Sequence, residues 1–456
     1  MTRGLLLAPT LCLILGLAPA LAQRTPPIAP KVQELALPPA VELPAPPALP
    51  PEVPDRPLTV QEAIEIALRS QPVIAAAAAG LSGAEARTQQ SRSALGPSVA
   101  VGAGYSNTTS NTRSNLGASG ASGFQVSGTV RQLVYDLNHT RDLVRQAAAL
   151  ERSANAALTR TQADLVLQVK LAFYRYLQAV ELVGVAEADV RNRQEHVALT
   201  QARLNSGLGL PSDVVRAQTA YANAVYNLTV ARAVALSTRV ALAELMGIDP
   251  RTPFEPADSR EPAIASPDLT ALADLALRQR PEMAQARANI AAAAFGVSAA
   301  QTVNSPAVVG SVGVVNRGSD FPPGDRALTV GLSVEWTPVD SGLARGRVKE
   351  AQASLDLVQS QLAATRLAVI GDVAQAYVSL KAAEQRVTAA QAQVADAEES
   401  VRLTQGRYRA GIGVFMDVLD AQAALDTAKA NLVNALSGVD QASAALWHAV
   451  GTVPQR

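Results

Sequence analysis

The chain has 456 residues with 39 basic and 39 acidic side chains, and it is 48% hydrophobic but only 4% aromatic. That balance leaves no basic footprint for nucleic acid and no polybasic membrane patch, and a single cysteine, Cys12, excludes a disulfide framework. Nothing after residue 22 approaches the ~18 consecutive apolar residues of a transmembrane helix, so any entry into a bilayer must use strands.

Met1 to Ala22 carries one positive charge (Arg3), an apolar run from Leu5 to Leu17, and Ala20-Leu21-Ala22 before Gln23. This is the pattern of a cleaved secretory signal, residues 1–22. A membrane anchor is the competing reading, but the run is short for one, and Cys12 within it lacks the small residues of a lipid-attachment site. From Pro26 to Pro57 proline recurs every few residues, which predicts an extended strap or tether over 23–57 rather than a domain.

The rest of the chain is written twice. Gln201-Ala-Arg203-Leu-Asn-Ser-Gly207-Leu208-Gly209, followed by Asp213, recurs as Gln405-Gly-Arg407-Tyr-Arg-Ala-Gly411-Ile412-Gly413, followed by Asp417. Asp136 and Asp340, and Gly247 and Gly451, share the same offset of 204 positions (407−203, 340−136, 451−247). Such a period is too long for a solenoid unit, so residues 58–249 and 268–452 are duplicated halves joined by a proline-rich link, 250–267. Halves that cannot bury their own elements point to a large symmetric assembly.

Each half opens with short helices and then changes to an alternating rhythm. In the first half Val99, Val101, Ala103 and Tyr105, then Phe124, Val126, Gly128 and Val130, predict strands at about 98–106 and 123–133. In the second half Val308, Gly310, Val312 and Val314 predict a strand at about 307–315, and Ala327 to Trp336 alternates strictly over about 327–336. The strand pairs are joined by loops from Ser106 to Gly123 and from Asn316 to Arg326. Strands of roughly ten residues, oily on one face and small or polar on the other, suit tilted membrane strands. Tyr105, Phe124, Tyr135, Phe321 and Trp336 fall in or beside them and are candidates for an interfacial aromatic girdle; the alternative is the core of a small soluble sandwich. Four strands do not close a barrel and lipid tolerates no unpaired edge, so several copies must share one barrel.

Long helices are confined to the proline-free stretches, at about 136–204 and 340–409, with returning helices at about 213–246 and 416–450. One heptad column holds Leu158, Leu165, Ala172, Ala179 and Ala186, and another holds Val169, Tyr176, Val183, Val190, Val197 and Leu204. The second half repeats them as Leu362, Val369, Ala376, Ala383 and Ala390, and as Val373, Leu380, Val387, Val394, Val401 and Tyr408. A sustained heptad drives left-handed supercoiling, and an alanine-rich column lets helices approach closely. The glycine turns then reverse the chain, with Ser212 or Asp213 and Asp417 expected as caps of the returning helices. No phosphate-binding loop, zinc motif or nucleophile elbow is present, and His139, His196 and His448 are scattered, so no enzyme, cofactor or metal site is expected.

These residues resemble the outer-membrane efflux proteins typified by TolC, over about residues 58 to 452. The resemblance rests on the twice-repeated helix, strand, strand, long helix, helix order, on the paired Arg-x-x-x-Gly turns, and on Asp417-Val-Leu-Asp420-Ala421. It implies a mixed α and β membrane protein, a homotrimer whose twelve-stranded outer-membrane barrel continues into a periplasmic helical tunnel. The implied role is the passive, gated exit duct of a tripartite efflux or type I secretion system. A periplasmic adaptor would open it and an inner-membrane RND or ABC transporter would power it. The resemblance places the gate at the helical tip, where Asp417 and Asp420, with Asp213 in the equivalent first turn, would form carboxylate rings attractive to cations. It also makes Arg203, Gly207, Leu208, Arg407, Gly411 and Ile412 the docking tips for the adaptor. Some relatives have an arginine in this turn where this chain has Gly413, so the closed state would be locked differently. A secreted trimeric coiled-coil stalk is the alternative, although it would not need matched strand pairs.

Overall fold

The computed structural model describes residues 56–109, 120–258 and 268–451. The expected signal over 1–22, nearly all of the proline-rich strap and residues 259–267 of the link lie outside the described residues. The first half comprises α1 (Val60–Ser70), α2 (Pro72–Ser93), β1 (Ser98–Thr109), β2 (Gly120–Tyr135), α3 (His139–Asn205) and α4 (Pro211–Met246). The second comprises α5 (Leu269–Gln279), α6 (Pro281–Thr302), β3 (Ala307–Gly318), β4 (Asp325–Glu335), α7 (Leu343–Arg409) and α8 (Phe415–Val450). No single helix among the described residues is long and apolar enough to cross a membrane.

Both α3 and α7 have 67 residues, about 100 Å at 1.5 Å per residue. They are continuous because no proline interrupts them, and the heptad fixes which face is covered. In α7 the buried residues are Val369, Val373, Ala376, Leu380, Ala383, Ala390, Val401 and Tyr408, all within the two columns, and Ala397, one heptad beyond Ala390. In α3 the same columns bury Leu165, Val169, Ala172, Tyr176 and Ala179, after which Arg193 and Thr200 occupy the alanine column.

Each long helix begins the same way. Leu137 and Asn138, and in the second half Ser341 and Gly342, turn the chain through the left-handed region. The carboxylate of Asp136 accepts the Thr140 amide at 2.7 Å, and that of Asp340 accepts the Ala344 amide at 2.7 Å. An aspartate just outside each helix thus satisfies an end amide and holds a turn that L-residues otherwise avoid. The returning helices begin differently from the sequence expectation. Leu210 and Val414 occupy the N-cap positions, neither α4 nor α8 has a side-chain cap, and Asp213 and Asp417 lie inside the first turn. Pro211 at the first helical position, together with carboxylate charge near the positive end of the helix dipole, replaces capping there.

The strands form one antiparallel sheet in the order β1-β2-β3-β4. They run further than the alternation predicts, so Asn316, Arg317 and Arg326, expected in a loop, are paired strand residues. Register puts Tyr105 opposite Phe124, Val130 opposite both Val99 and Val312, and Val312 opposite Val330, so the oily positions share one face. Gly102, Ser127, Ser311, Gly331 and Ser333 share the other by parity. A β-bulge between Leu133 and Tyr135 pairs Tyr135 with Val308, whose other partner is Val334. Simple alternation would have turned Tyr135 to the polar face; the bulge turns it to the oily one.

The duplicated elements have unequal surroundings. Helix α6 packs on both α3 and α7, whereas its counterpart α2 packs on α3. Helix α8 packs on α7 and α3, whereas α4 packs on α3. Tyr174 is consequently 2% exposed, while Val378, its equivalent on α7, is 59% exposed. Ser437 on α8 donates to the Tyr174 carbonyl at 3.2 Å and is buried, while its counterpart Ala233 on α4 is exposed. Among the described residues the outer edges of β1 and β4 also carry no further strand, so each side of the chain leaves comparable surfaces uncovered. Two cores stiffen the chain. One gathers Leu58, Ile64, Val169, Phe173, Leu242 and Phe254, and its second-half equivalent gathers Leu272, Met283, Val373, Leu380 and Leu446.

Candidate functional site

The two hairpin turns lie together at the end remote from the sheet, because α3 and α7 have equal length and their terminal residues share a small core. Tyr408, Phe415, Val418 and Ala217 form that core, with Val197, Leu199 and Leu419 against it. Each turn is a Schellman motif. Leu208 N–H donates to the Arg203 carbonyl at 2.9 Å and Gly207 N–H to that of Leu204 at 3.0 Å; Ile412 and Gly411 repeat this with Arg407 and Tyr408 at 3.0 and 3.1 Å. Gly207 and Gly411 have φ of +73° and +76° with open space around them, so backbone conformation rather than crowding selects glycine there.

The apolar residue that follows such a turn ordinarily packs back on its helix. Here Leu208 and Ile412 are 76% and 73% exposed, and Leu210 and Val414 beside them are also exposed. The tip therefore displays two matching apolar knobs. Gly413 is needed for a different reason: a Cβ there would stand 3.1 Å from the Arg407 Cβ and 3.2 Å from backbone atoms of Arg407 and Tyr408. A side chain at this position, arginine included, requires those neighbours to give by a few tenths of an ångström.

Arg203 and Arg407 are equivalent in sequence but not in setting. The Arg203 guanidinium lies 4.5 Å from the Tyr408 ring centroid, and its Nη1 donates to the Tyr408 carbonyl at 2.8 Å. It ties the first hairpin to the second, whereas Arg407 is exposed. Burial pushes the Tyr408 hydroxyl pKa up, opposed by Arg203 and assisted by the charge of Asp213. Asp417 and Asp420 are both exposed on α8, one turn apart, and Asp213 is half-buried. Replacing Arg203 by alanine should loosen the link between the hairpins and raise the open probability of isolated channels. Unchanged gating in single-channel recordings would count against Arg203 as a tie.

One group near the tip was not singled out in the sequence. Arg193 Nε donates to Asp189 at 2.7 Å and its Nη2 to Asp426 on α8 at 2.8 Å, and Gln422 donates to Asp426 at 3.0 Å. The available signal was a charged residue in the alanine column. Burial, reinforced by the charge of Asp189, pushes the Asp426 carboxyl up to about 6. Beside it His196 is buried edge-on to Phe415, and burial, assisted by Arg193, lowers its pKa.

Because the folded pKa of Asp426 exceeds its unfolded value, its contribution to stability is present below about pH 4 and is lost as the pH rises through about 6. Asp426→Asn mimics the protonated form. Its melting temperature should exceed that of the parent at about pH 8, the difference shrinking towards zero at about pH 4, by circular dichroism in detergent. A difference independent of pH would contradict the assignment.

At the sheet end, the Tyr105 and Phe124 rings are 5.0 Å apart and those of Phe124 and Phe321 5.6 Å apart, a cluster where the strands meet their loops. Tyr135 and Trp336 stand at the opposite, helix-proximal end, and both are exposed. The 11 steps from Phe124 to Tyr135 (135−124), at about 3.4 Å each and a tilt of about 45°, separate the two rows by about 26 Å. The three histidines are far apart in the chain and engaged separately, His139 with the Ala299 carbonyl and His448 with Asp164. No cluster of potential metal ligands occurs among the described residues.

The family model described as "Outer membrane efflux protein" matches residues 63–248 and 272–452. Protein CyaE of Bordetella pertussis is 27% identical over 400 residues, covering 85% of this chain and 84% of its own. The pyoverdine export outer membrane protein OpmQ of Pseudomonas putida is 27% identical, covering 86% of this chain and 85% of its own. The crystal structure of VceC from Vibrio cholerae superposes with a TM-score of 0.75 at 22% identity, covering 86% of this chain and 96% of that one, a likeness of fold.

Proposed function

The chain belongs to the outer membrane efflux protein family and is an outer-membrane exit channel of a Gram-negative bacterium with a periplasmic helical portion; from that premise we propose that three copies close one duct, passive and gated at its helical tip. The observation that carries the closure is the unequal surroundings of equivalent elements. Among the described residues, helix α2, the outer face of α4, and the outer edges of β1 and β4 each lack the neighbour that their counterparts have within the chain. A second copy supplies all of them in one step, with α7 of that copy against α2 and α4. Two copies would make an eight-stranded barrel of the kind side chains fill, whereas three make twelve strands and leave a pore. In that barrel the oily face of Val99, Val130, Val312 and Val330 meets lipid. The rows around Phe124 and around Tyr135 and Trp336 then sit at the two interfaces as a girdle.

The exposed Leu208 and Ile412 favour an adaptor that docks by apolar tip contacts, with Arg203, Gly207, Arg407 and Gly411 shaping those tips. Asp417 and Asp420, with Asp213 behind them, line the mouth that the adaptor opens. With no nucleotide-binding loop or buried charge relay readable in the chain, the energy comes from an inner-membrane transporter of the RND or ABC class, and the Arg203 tie to Tyr408 replaces an arginine lock at Gly413. The reading is tested by reconstituting the detergent-extracted protein in planar bilayers. Stepwise ion conductance is expected, and a secreted stalk without a lumen would pass none.

A further inference from the structure

Arg131 on β2 and Glu335 on β4 form an ion pair that reaches across β3. Both belong to the small, polar face of the sheet. Arg131 is registered with Ser98 on one side and Ser311 on the other, and Glu335 follows Gly331 and Ser333 on β4 in the same parity. The two residues are also one and the same position of the duplicated halves, separated by the repeat offset of 204. A single ancestral position has therefore diverged into opposite charges, and the two descendants meet each other.

The register shows what lies beyond Glu335. Ser98 pairs with Arg131 as Ala307 pairs with Glu335, so Gly102 in β1 corresponds to Ser311 in β3 (102−98 = 311−307 = 4). Arg131 faces Ser311 across the β2-β3 seam. If β4 meets β1 of the next copy as β2 meets β3, Glu335 faces Gly102 of that copy. It then reaches across one strand to a second Arg131 in the geometry that it already has with the first. Gly102 has no side chain to obstruct that reach, and Ser311, which lies under the observed pair, is the only slightly larger equivalent.

Resting on the closed three-copy barrel, we propose that Arg131 and Glu335 alternate in one unbroken ring of six side chains on the lumen face at the foot of the barrel. Each Glu335 is shared between the Arg131 of its own chain, across β3, and the Arg131 of the neighbouring copy, across β1. The occupant of the open β4 edge is thus β1 of a second copy, in the register that sets Glu335 opposite Gly102. The ring is neutral in sum, so it fixes strand register between copies without imposing an ionic preference, which is left to the acidic tip. Divergence of the halves is what makes this possible, because undiverged halves would place six like charges in one ring, where they repel.

The test introduces Arg131→Cys and Glu335→Cys together into the full chain carrying Cys12→Ala, expressed in the outer membrane and treated with a bis-maleimide spanning about 16 Å, which covers two strand spacings and the four-residue offset between Ser311 and Ala307. The ring predicts covalently linked dimers and trimers on a fully denaturing gel. Links confined to single chains, in a sample whose untreated portion still runs as a heat-resistant trimer, would overturn the ring and leave the three-copy barrel standing. Protein with Arg131 and Glu335 in place that is monomeric in detergent would overturn both. Charge reversal supplies a second arm that needs no cysteine. Arg131→Glu and Glu335→Arg should each lower the temperature at which the oligomer dissociates by several degrees, and the combined exchange should restore it. Single reversals that dissociate at the parent temperature would also overturn the proposal.

Discussion

A channel carrying Asp417→Ala and Asp420→Ala is expected to lose block by trivalent cations in single-channel recordings. The two carboxylates are three residues apart on α8, both exposed, and no hydrogen bond or ion pair engages either among the described residues. In a three-copy tip they form two stacked acidic rings within one helical turn of each other. At an effective dielectric of about 20, a unit charge pair at about 4 Å interacts by about 4 kcal/mol, and a trivalent ion between several carboxylates gains more. Discounting for solvent in the mouth to about 3 kcal/mol, removal of the rings raises the half-blocking concentration about 100-fold. The fold should persist, because neither side chain packs in a core and loss of the Asp417 charge from the first turn costs only about 0.3–1 kcal/mol. Block at the parent concentration would exclude the rings as the gate.

Exchange of both turn glycines, Gly207→Asp with Gly411→Asp, is expected to abolish export while leaving the oligomer intact. At φ of +73° and +76° a side chain costs roughly 1–2 kcal/mol per residue, and aspartate is among the residues that accept this conformation best. No atom lies within 4 Å of either added Cβ, so nothing clashes in the protomer. What changes is the surface, where a charge stands beside Leu208 and Ile412 at the point where apolar knobs would enter a partner. A desolvated, unpaired carboxylate in such a contact is severely unfavourable. Heat-resistant oligomer should persist on gels, and cells should become as sensitive to the exported compounds as a deletion strain. Normal efflux by this double variant would remove the docking assignment.

The heptad columns show what is legible in such a sequence and what is not. The α7 residues buried within one chain are those that the seven-residue period singles out, since close helix packing leaves little choice of face. The oily face of β4 was equally legible, because a two-residue period admits no other assignment once one face is lipid or core. The bulge that turns Tyr135 to the oily face was not legible, since it depends on the partner strand's register. Nor were the starts of α4 and α8, where a carboxylate near the turn suggested a cap but Pro211 and the chain geometry placed Leu210 and Val414 at that position.

The tip arginines mark a deeper limit. Arg203 and Arg407 sit in one repeated motif, yet Arg203 meets Tyr408 while Arg407 is exposed, and the position equivalent to Tyr408 in the first half is Leu204, which has no ring. A repeat records the local turn faithfully and is silent about which copy completes it. The Arg193, Asp189 and Asp426 group is similar, since its meaning depends on α3 meeting α8 from the opposite half.

The native mass of the purified protein in detergent tests the central claim most directly. Three copies per particle are expected, held together without disulfides and surviving moderate heating. A particle of one copy, stable in water once detergent is removed, would contradict the account, since the open faces of α2, α4, β1 and β4 would then need no partner.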